Sequence, residues 1–164
     1  MYLVFMTHHL NDLEAPVGGP WCTDFSAEVT LPSVRPEEVI HVLSRAQSWP
    51  DWNPALTSIE VLDPRVLATT GSRYPIVVRG VFRGSLTYLE STPSKLVIDL
   101  DIPGLHERGT WSVDANEVGV NVVHTVQQRG PLTKAIGRHE AQRVPWKRLW
   151  RLERLFEPST ATFR

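Results

Sequence analysis

The sequence predicts an α+β fold, a largely antiparallel sheet with a long C-terminal helix laid across one face. Three observations carry the prediction. Between Leu56 and Arg129, six strand-like runs are separated by short breaks (DP, TG, RG, TPS, IPG and DANEVG), and strands joined so briefly pair antiparallel. Two of those runs alternate apolar with polar residues, as strands do when one face is covered and the other wet. From Leu132 to Glu157 the composition turns helical, with apolar stripes separated by basic residues.

Taken in order, residues 1 to 24 contain HH and PVGGP without a sustained period and read as an N-terminal tail, with Met6 as an alternative start. The fold is expected to begin near Asp24, giving one domain over residues 25 to 157 and a short tail over 158 to 164. Phe25, Ala27, Val29 and Leu31 alternate with Ser26, Glu28 and Thr30, a half-buried strand. Pro36, Glu37 and Glu38 then suit a helix start, because proline's missing N–H is not needed in the first turn and acids there complement the dipole. Val39, Val42, Leu43 and Ala46 follow as one apolar stripe. The stretch SWPDWNP, Ser48 to Pro54, comes next. The strand runs are Leu56 to Asp63, Arg73 to Val81, Gly84 to Glu90, Lys95 to Ile102, Glu107 to Asp114 and Val120 to Arg129. Leu96, Ile98, Leu100 and Ile102 share one face, as do Val120, Val122, His124 and Val126. Arg73, Arg79 and Arg83 face solvent, opposite Tyr74, Ile76 and Val78. In the C-terminal segment, Leu132, Ile136 and His139 form one stripe and Leu149, Leu152 and Phe156 another. Pro145 predicts a kink or break near Arg143 to Pro145, since proline removes a hydrogen bond and clashes with the preceding turn.

At 164 residues, 41% hydrophobic and 21% charged, the chain suits one globular domain. No apolar run approaches the roughly 18 residues of a membrane span, and MYLVFM is too short for a signal peptide. The expected address is the cytoplasm, in keeping with the single cysteine, Cys22. The net charge of −1 conceals an asymmetry. Residues 129 to 154 hold eight Lys/Arg against Glu140 and Glu153, a balance of +6 that leaves −7 elsewhere. Such a helix reads first as a solvated basic face, and second as a contact for an anionic surface. With no nucleic-acid motif beside it, nucleic acid is not an expected partner. CxxC, HExxH, GxxxxGK[ST], GxGxxG and GxSxG are all absent, which argues against a dedicated zinc site, a nucleotide cradle and a serine nucleophile. No metal and no cofactor are expected.

The order strand, helix, short aromatic helix, six strands, long helix resembles the START-like, helix-grip (SRPBCC) superfamily, and within it the polyketide cyclase/dehydrase and lipid-transport family. The carriers are PEEVIHVLSRAQSWPDWNP, LTYLESTPSKLVIDLDIPG and GTWSVDANEVGVNVVHTV, in that order and spacing. The resemblance implies a seven-stranded antiparallel sheet curved around the long C-terminal helix, with a cavity between them and two short helices after the first strand closing one end. SWPDWNP then reads as a lid turn. Ser48 caps it by accepting from the Asp51 N–H, Pro50 fits the first turn and Pro54 stops it. Trp49 and Trp52, three apart, either plug the core or line a ligand.

That picture implies binding of an apolar or aromatic small molecule, lipid or polyketide-like, and inward-facing positions to hold it. They are Trp49, Trp52, Tyr74, Ile76, Val78, Tyr88, Leu100, Trp111, Val122, His124 and Ile136. The enzymatic alternative is a polyketide aromatase/cyclase in which His124 or Tyr88 shuttles protons; the bland reading of His124 is a core histidine satisfied by a carbonyl or hydroxyl. His106, Glu107 and Arg108 are expected at a solvated strand end. A third class is a protein-interaction module, or a membrane-surface contact made through the basic C-terminal helix.

Overall fold

The computed structural model describes residues 21 to 157. A seven-stranded antiparallel sheet is formed by β1 (Thr23–Pro32), β2 (Leu56–Ile59), β3 (Arg73–Val78), β4 (Phe82–Ser91), β5 (Lys95–Ile102), β6 (Leu105–Ala115) and β7 (Gly119–Arg129). Its spatial order is β1-β7-β6-β5-β4-β3-β2, so every neighbouring pair is a hairpin except β1 beside β7, the first strand returning to pair with the last. Between β1 and β2 lie α1 (Pro36–Ser44), a 3-10 turn (Ala46–Ser48) and α2 (Trp49–Trp52). After β7 come α3 (Leu132–Ile136) and α4 (Arg138–Phe156), the latter packed chiefly over β1 and β7.

The period-2 pattern sets what faces inward. One row across the sheet runs Thr23, Gln128, Glu107, Leu100, Leu86. Four residues further along the strands a second row runs Ala27, His124, Trp111, Leu96. At about 3.3 Å per residue the two rows stand ~13 Å apart. On the opposite face Arg73 and Arg83 are exposed as expected; Arg79 is exposed too, but in the turn after β3, where it borders the space between sheet and helices. That face is not uniformly wet, however. Val97 is buried there, and so is Asp99, beneath a bidentate pair in which Arg108 Nε and Nη2 donate at 2.7 and 2.8 Å.

The structure departs from expectation at several places. Strand β1 starts at Thr23, and β2 ends at Ile59 rather than Asp63. Ser48 does not cap α2; its hydroxyl donates backward to the Arg45 carbonyl at 2.8 Å. The expected break near Arg143 to Pro145 is absent, because Pro145 lies within a continuous α4. Proline forgoes one helical bond, but with Ala141, Leu149 and Leu152 it buries one stripe against the sheet. The break falls instead at Gly137, whose φ of 76° and ψ of 149° are open essentially to glycine alone. Met6, His8 and His9 and the tail over 158 to 164 lie outside the described residues.

Gly137 therefore fixes how α3 turns into α4. An alanine there would meet no neighbouring atom, so its penalty is conformational. Gly137→Ala is expected to cost about 1–3 kcal/mol, read as a lower urea midpoint with unchanged slope. An unshifted midpoint would mean that the helical segment can re-form without that backbone state.

Candidate functional site

The interior divides into a filled end and a hollow end. At the filled end, α1 finishes with the Leu43 carbonyl accepting from both Trp49 Nε1 at 2.8 Å and the Tyr88 hydroxyl at 3.0 Å. The Trp49 ring then meets Trp52 at 4.8 Å and stands edge-on to Trp111 at 5.2 Å. Trp111 in turn stacks on His124, 3.9 Å between centroids and 10° between planes. Gly109 leaves room for this stacking, since a Cβ there would stand 3.0 Å from the Trp111 ring. His124 Nδ1 lies 3.0 Å from the Thr110 carbonyl. Because a carbonyl only accepts, Nδ1 carries the proton and Nε2 is the bare nitrogen. Burial, and after it the charge of Arg148, holds the imidazole well below its ordinary pKa of 6.5, so it is neutral. Burial likewise pushes the Tyr88 phenol well above its usual range.

At the hollow end a cavity of about 570 Å³ lies between the sheet and the α3–α4 segment. Its walls are apolar, from Val78, Phe82, Leu100, Ile102 and Leu105 on the strands and Leu132, Ile136 and Val144 on the helices. Pro54, Ala55, Arg79, Ala135, Glu140 and Lys147 lie around it as well. Three polar side chains form its floor. Arg148 from α4 places Nη2 2.7 Å from Glu107 Oε1 on β6, and Gln128 Nε2 on β7 donates to Glu107 Oε2 at 2.7 Å. All three are almost wholly buried: Arg148 2%, Glu107 3%, Gln128 2% exposed. Arg148 Nε and Nη1 and Gln128 Oε1 have no partner among the protein atoms.

Of the positions named from sequence, Val78, Leu100 and Ile136 line this cavity. Trp49, Trp52, Tyr88, Trp111 and His124 are brought together instead in the aromatic cluster, with Tyr74 edge-on to Tyr88 at 6.1 Å. Ile76 and Val122 are buried in the same core. The reading of His106, Glu107 and Arg108 as a solvated strand end is corrected. Alternation along β6 sends Glu107 inward beside Gly109 and Trp111, while His106 and Arg108 go outward to Asp101 and Asp99. Gln128 was legible as the next inward residue after Val126. Arg148 sits one turn from Leu152 on the buried stripe, a signal hidden by the basic residues around it. Among the described residues no group of three His, Cys, Asp or Glu side chains could hold a metal ion, and no helix is long and apolar enough to cross a membrane.

The model of a family described as polyketide cyclase / dehydrase and lipid transport matches residues 23–157. No curated protein matches. Among solved structures, a hypothetical protein of Helicobacter pylori superposes with a TM-score of 0.68 at 16% identity, covering 91% of this chain and 98% of that one. A protein of Chromobacterium violaceum gives 0.64 at 17%, covering 85% and 100%. The di-domain ARO/CYC StfQ from the steffimycin biosynthetic pathway gives 0.60 at 14%, covering 81% of this chain and 48% of that one. At such identities these likenesses establish the fold.

The depressed pKa of His124 has a sign. Below pH 6.5 the unfolded chain takes up a proton that the folded chain refuses, so stability falls with pH from that point down to the folded pKa. His124→Gln should remove a slope of up to ~1.4 kcal/mol per pH unit on the acid side of urea-midpoint profiles. Parallel profiles for the two proteins would contradict a neutral buried imidazole.

Proposed function

The chain belongs to the polyketide cyclase / dehydrase and lipid transport family, and on that premise we propose that it binds an apolar or aromatic small molecule, lipid or polyketide-like, in the cavity between sheet and α3–α4. The observation that carries the reading is the cavity itself, about 570 Å³ with apolar walls and three convergent polar groups. That size and lining are typical of small-molecule sites. Burying about 200 Å² of ligand apolar surface at ~25 cal/mol/Å² gives about 5 kcal/mol before association costs, enough for micromolar binding once a polar contact is added. The positions proposed to touch ligand are Val78, Leu100 and Ile136, together with Phe82, Ile102, Leu105 and the floor. Trp49 and Trp52 act one layer back, as the plug that stops the cavity from extending through the core. A cytoplasmic setting accords with a free, exposed Cys22.

A cyclase reading would need proton carriers on the cavity wall. Tyr88 has committed its hydroxyl to Leu43 and His124 lies under Trp111, so binding is favoured over turnover through these two side chains. A second reading has its own observation. On α4, Arg143, Trp146, Trp150 and Arg154 follow at helical spacing, the two indoles stacked 6.3 Å apart with Arg154 5.0 Å above Trp150. Both indoles are partly exposed, 38% and 42%. Exposed tryptophan interleaved with arginine suits the interfacial zone of an anionic membrane, so contact with a lipid surface is a second role of this helix.

Ile136→Trp, which fills the cavity from its helical wall, should weaken a neutral hydrophobic fluorescent probe at least about tenfold while leaving the thermal midpoint nearly unchanged. Undiminished binding would move the ligand elsewhere. In sedimentation with phosphatidylserine-containing vesicles, the wild type should co-sediment at low salt and be released at high salt, and W146A/W150A should fail to sediment at either. Equal sedimentation of wild type and variant would remove the membrane reading.

A further inference from the structure

Resting on the cavity-binding reading, we infer that the floor formed by Arg148, Glu107 and Gln128 recognises a neutral oxygen group of the ligand, a ketone or hydroxyl, and rejects a carboxylate. Arg148 lines the cavity almost wholly buried, with Nε and Nη1 meeting no acceptor in the protein. Buried donors without acceptors are costly, and an oxygen brought by a ligand relieves that cost. Gln128 has spent its amide N–H on Glu107 and leaves Oε1 unpartnered, an acceptor for a hydroxyl.

Charge decides which oxygen. An unpaired guanidinium with a free edge draws carboxylates. Here the protein already supplies one, since Glu107 Oε1 stands 2.7 Å from Arg148 Nη2. The floor is therefore neutral as a unit. A second carboxylate would leave a net negative charge beside side chains that are almost wholly buried, and burying an uncompensated charge costs more than its hydrogen bonds return. A ketone oxygen accepts from Nε or from Nη1 and adds no charge; a hydroxyl can also donate to Gln128 Oε1. A carboxylate is better placed at the mouth, beside exposed Arg79. The apolar walls hold the remainder of the molecule in either case, so the floor sets orientation and class while the walls supply area.

Three probes sharing one ring system test the inference: 6-propionyl-2-dimethylaminonaphthalene, a neutral ketone; 6-dimethylamino-2-naphthoate, its carboxylate counterpart; and 2-dimethylaminonaphthalene, which lacks both. Fluorescence titration at neutral pH should show the ketone binding about tenfold or more tighter than the parent amine, the effect of a hydrogen bond to a charged donor. The carboxylate should bind no tighter than the parent. Arg148→Lys, which keeps a cation for Glu107 and removes Nε and Nη1, should bring the ketone's affinity down to that of the parent measured on the same variant. If that variant does not fold, the wild-type series decides alone. Equal binding of ketone and parent overturns the inference and spares the cavity reading. A carboxylate tighter than the ketone overturns the choice of a neutral group. Failure of all three to bind saturably removes the cavity reading, and this inference with it.

Discussion

The ion pair between Glu107 and Arg148 is the constraint on which the rest of the interior depends. Helix α4 rests on β1 and β7 through Ala141, Pro145, Leu149 and Leu152, well to one side of the sheet. Arg148 is its reach inward, a long side chain crossing to β6 and fixing how far the helix stands above the strands. Two buried charges are not there for stability. Their desolvation roughly cancels their attraction, and replacing such a pair by apolar residues is often neutral or stabilising by about 1–4 kcal/mol, whereas removing one partner costs about 3–5 kcal/mol. A pair that contributes little, yet cannot be lost by halves, holds a fixed polar point at the bottom of a hollow that apolar packing would close.

Why the hollow persists at one end and not the other follows from side-chain volume along the two rows. The row through His124, Trp111 and Leu96 is met from above by Trp49 and Trp52, and four large rings close it completely. The row through Gln128, Glu107 and Leu100 is met by α3 and the first half of α4, which offer Ile136, Ala135 and Val144. Ile136, with Leu132, packs against the edge of the core, and the space beside them stays open. Aliphatic side chains opposite a polar row leave space, and indole rings opposite an aromatic row fill it. Gly109 sits between the two regimes, and its missing Cβ lets Trp111 lean over the boundary.

The architecture was legible in the sequence because period-2 alternation and hairpin-length breaks are local signals. Seven strands, two short helices and the terminal helix all stood out, and the boundaries of β5 matched residue for residue. The aromatic turn was also recognisable, although its composition left plug and ligand wall open; the rings pack on one another and away from the cavity lining. The polar floor was harder, for three different reasons. Gln128 needed only one more step of a period already counted. Glu107 was masked by its neighbours, since two charged residues flanking a third read as a solvated run until alternation is applied across all of them. Arg148 was hidden because its partner is forty-one positions away in the chain, and no pattern along one helix announces a charge paired across the core.

That last difficulty has a physical root in α4, which meets three environments at once. One stripe, Ala141, Pro145, Leu149 and Leu152, is pressed on the sheet. A second, Glu140, Val144, Lys147 and Arg148, flanks the cavity. A third, Arg143, Trp146, Trp150 and Arg154, looks outward. An ordinary amphipathic helix has two faces, and its sequence sorts cleanly into apolar and polar. Here a charged residue is buried and two tryptophans are exposed, each against its usual preference. Such inversions cost stability, and a helix whose task was only to cover the sheet would have no use for them. They fall on the two stripes where the helix meets something other than the sheet, the cavity on one flank and the surroundings on the other. The helix that caps the core is thus also the element through which the cavity's chemistry and the protein's outward contacts are set, and a change on either flank should leave the fold's main seam intact.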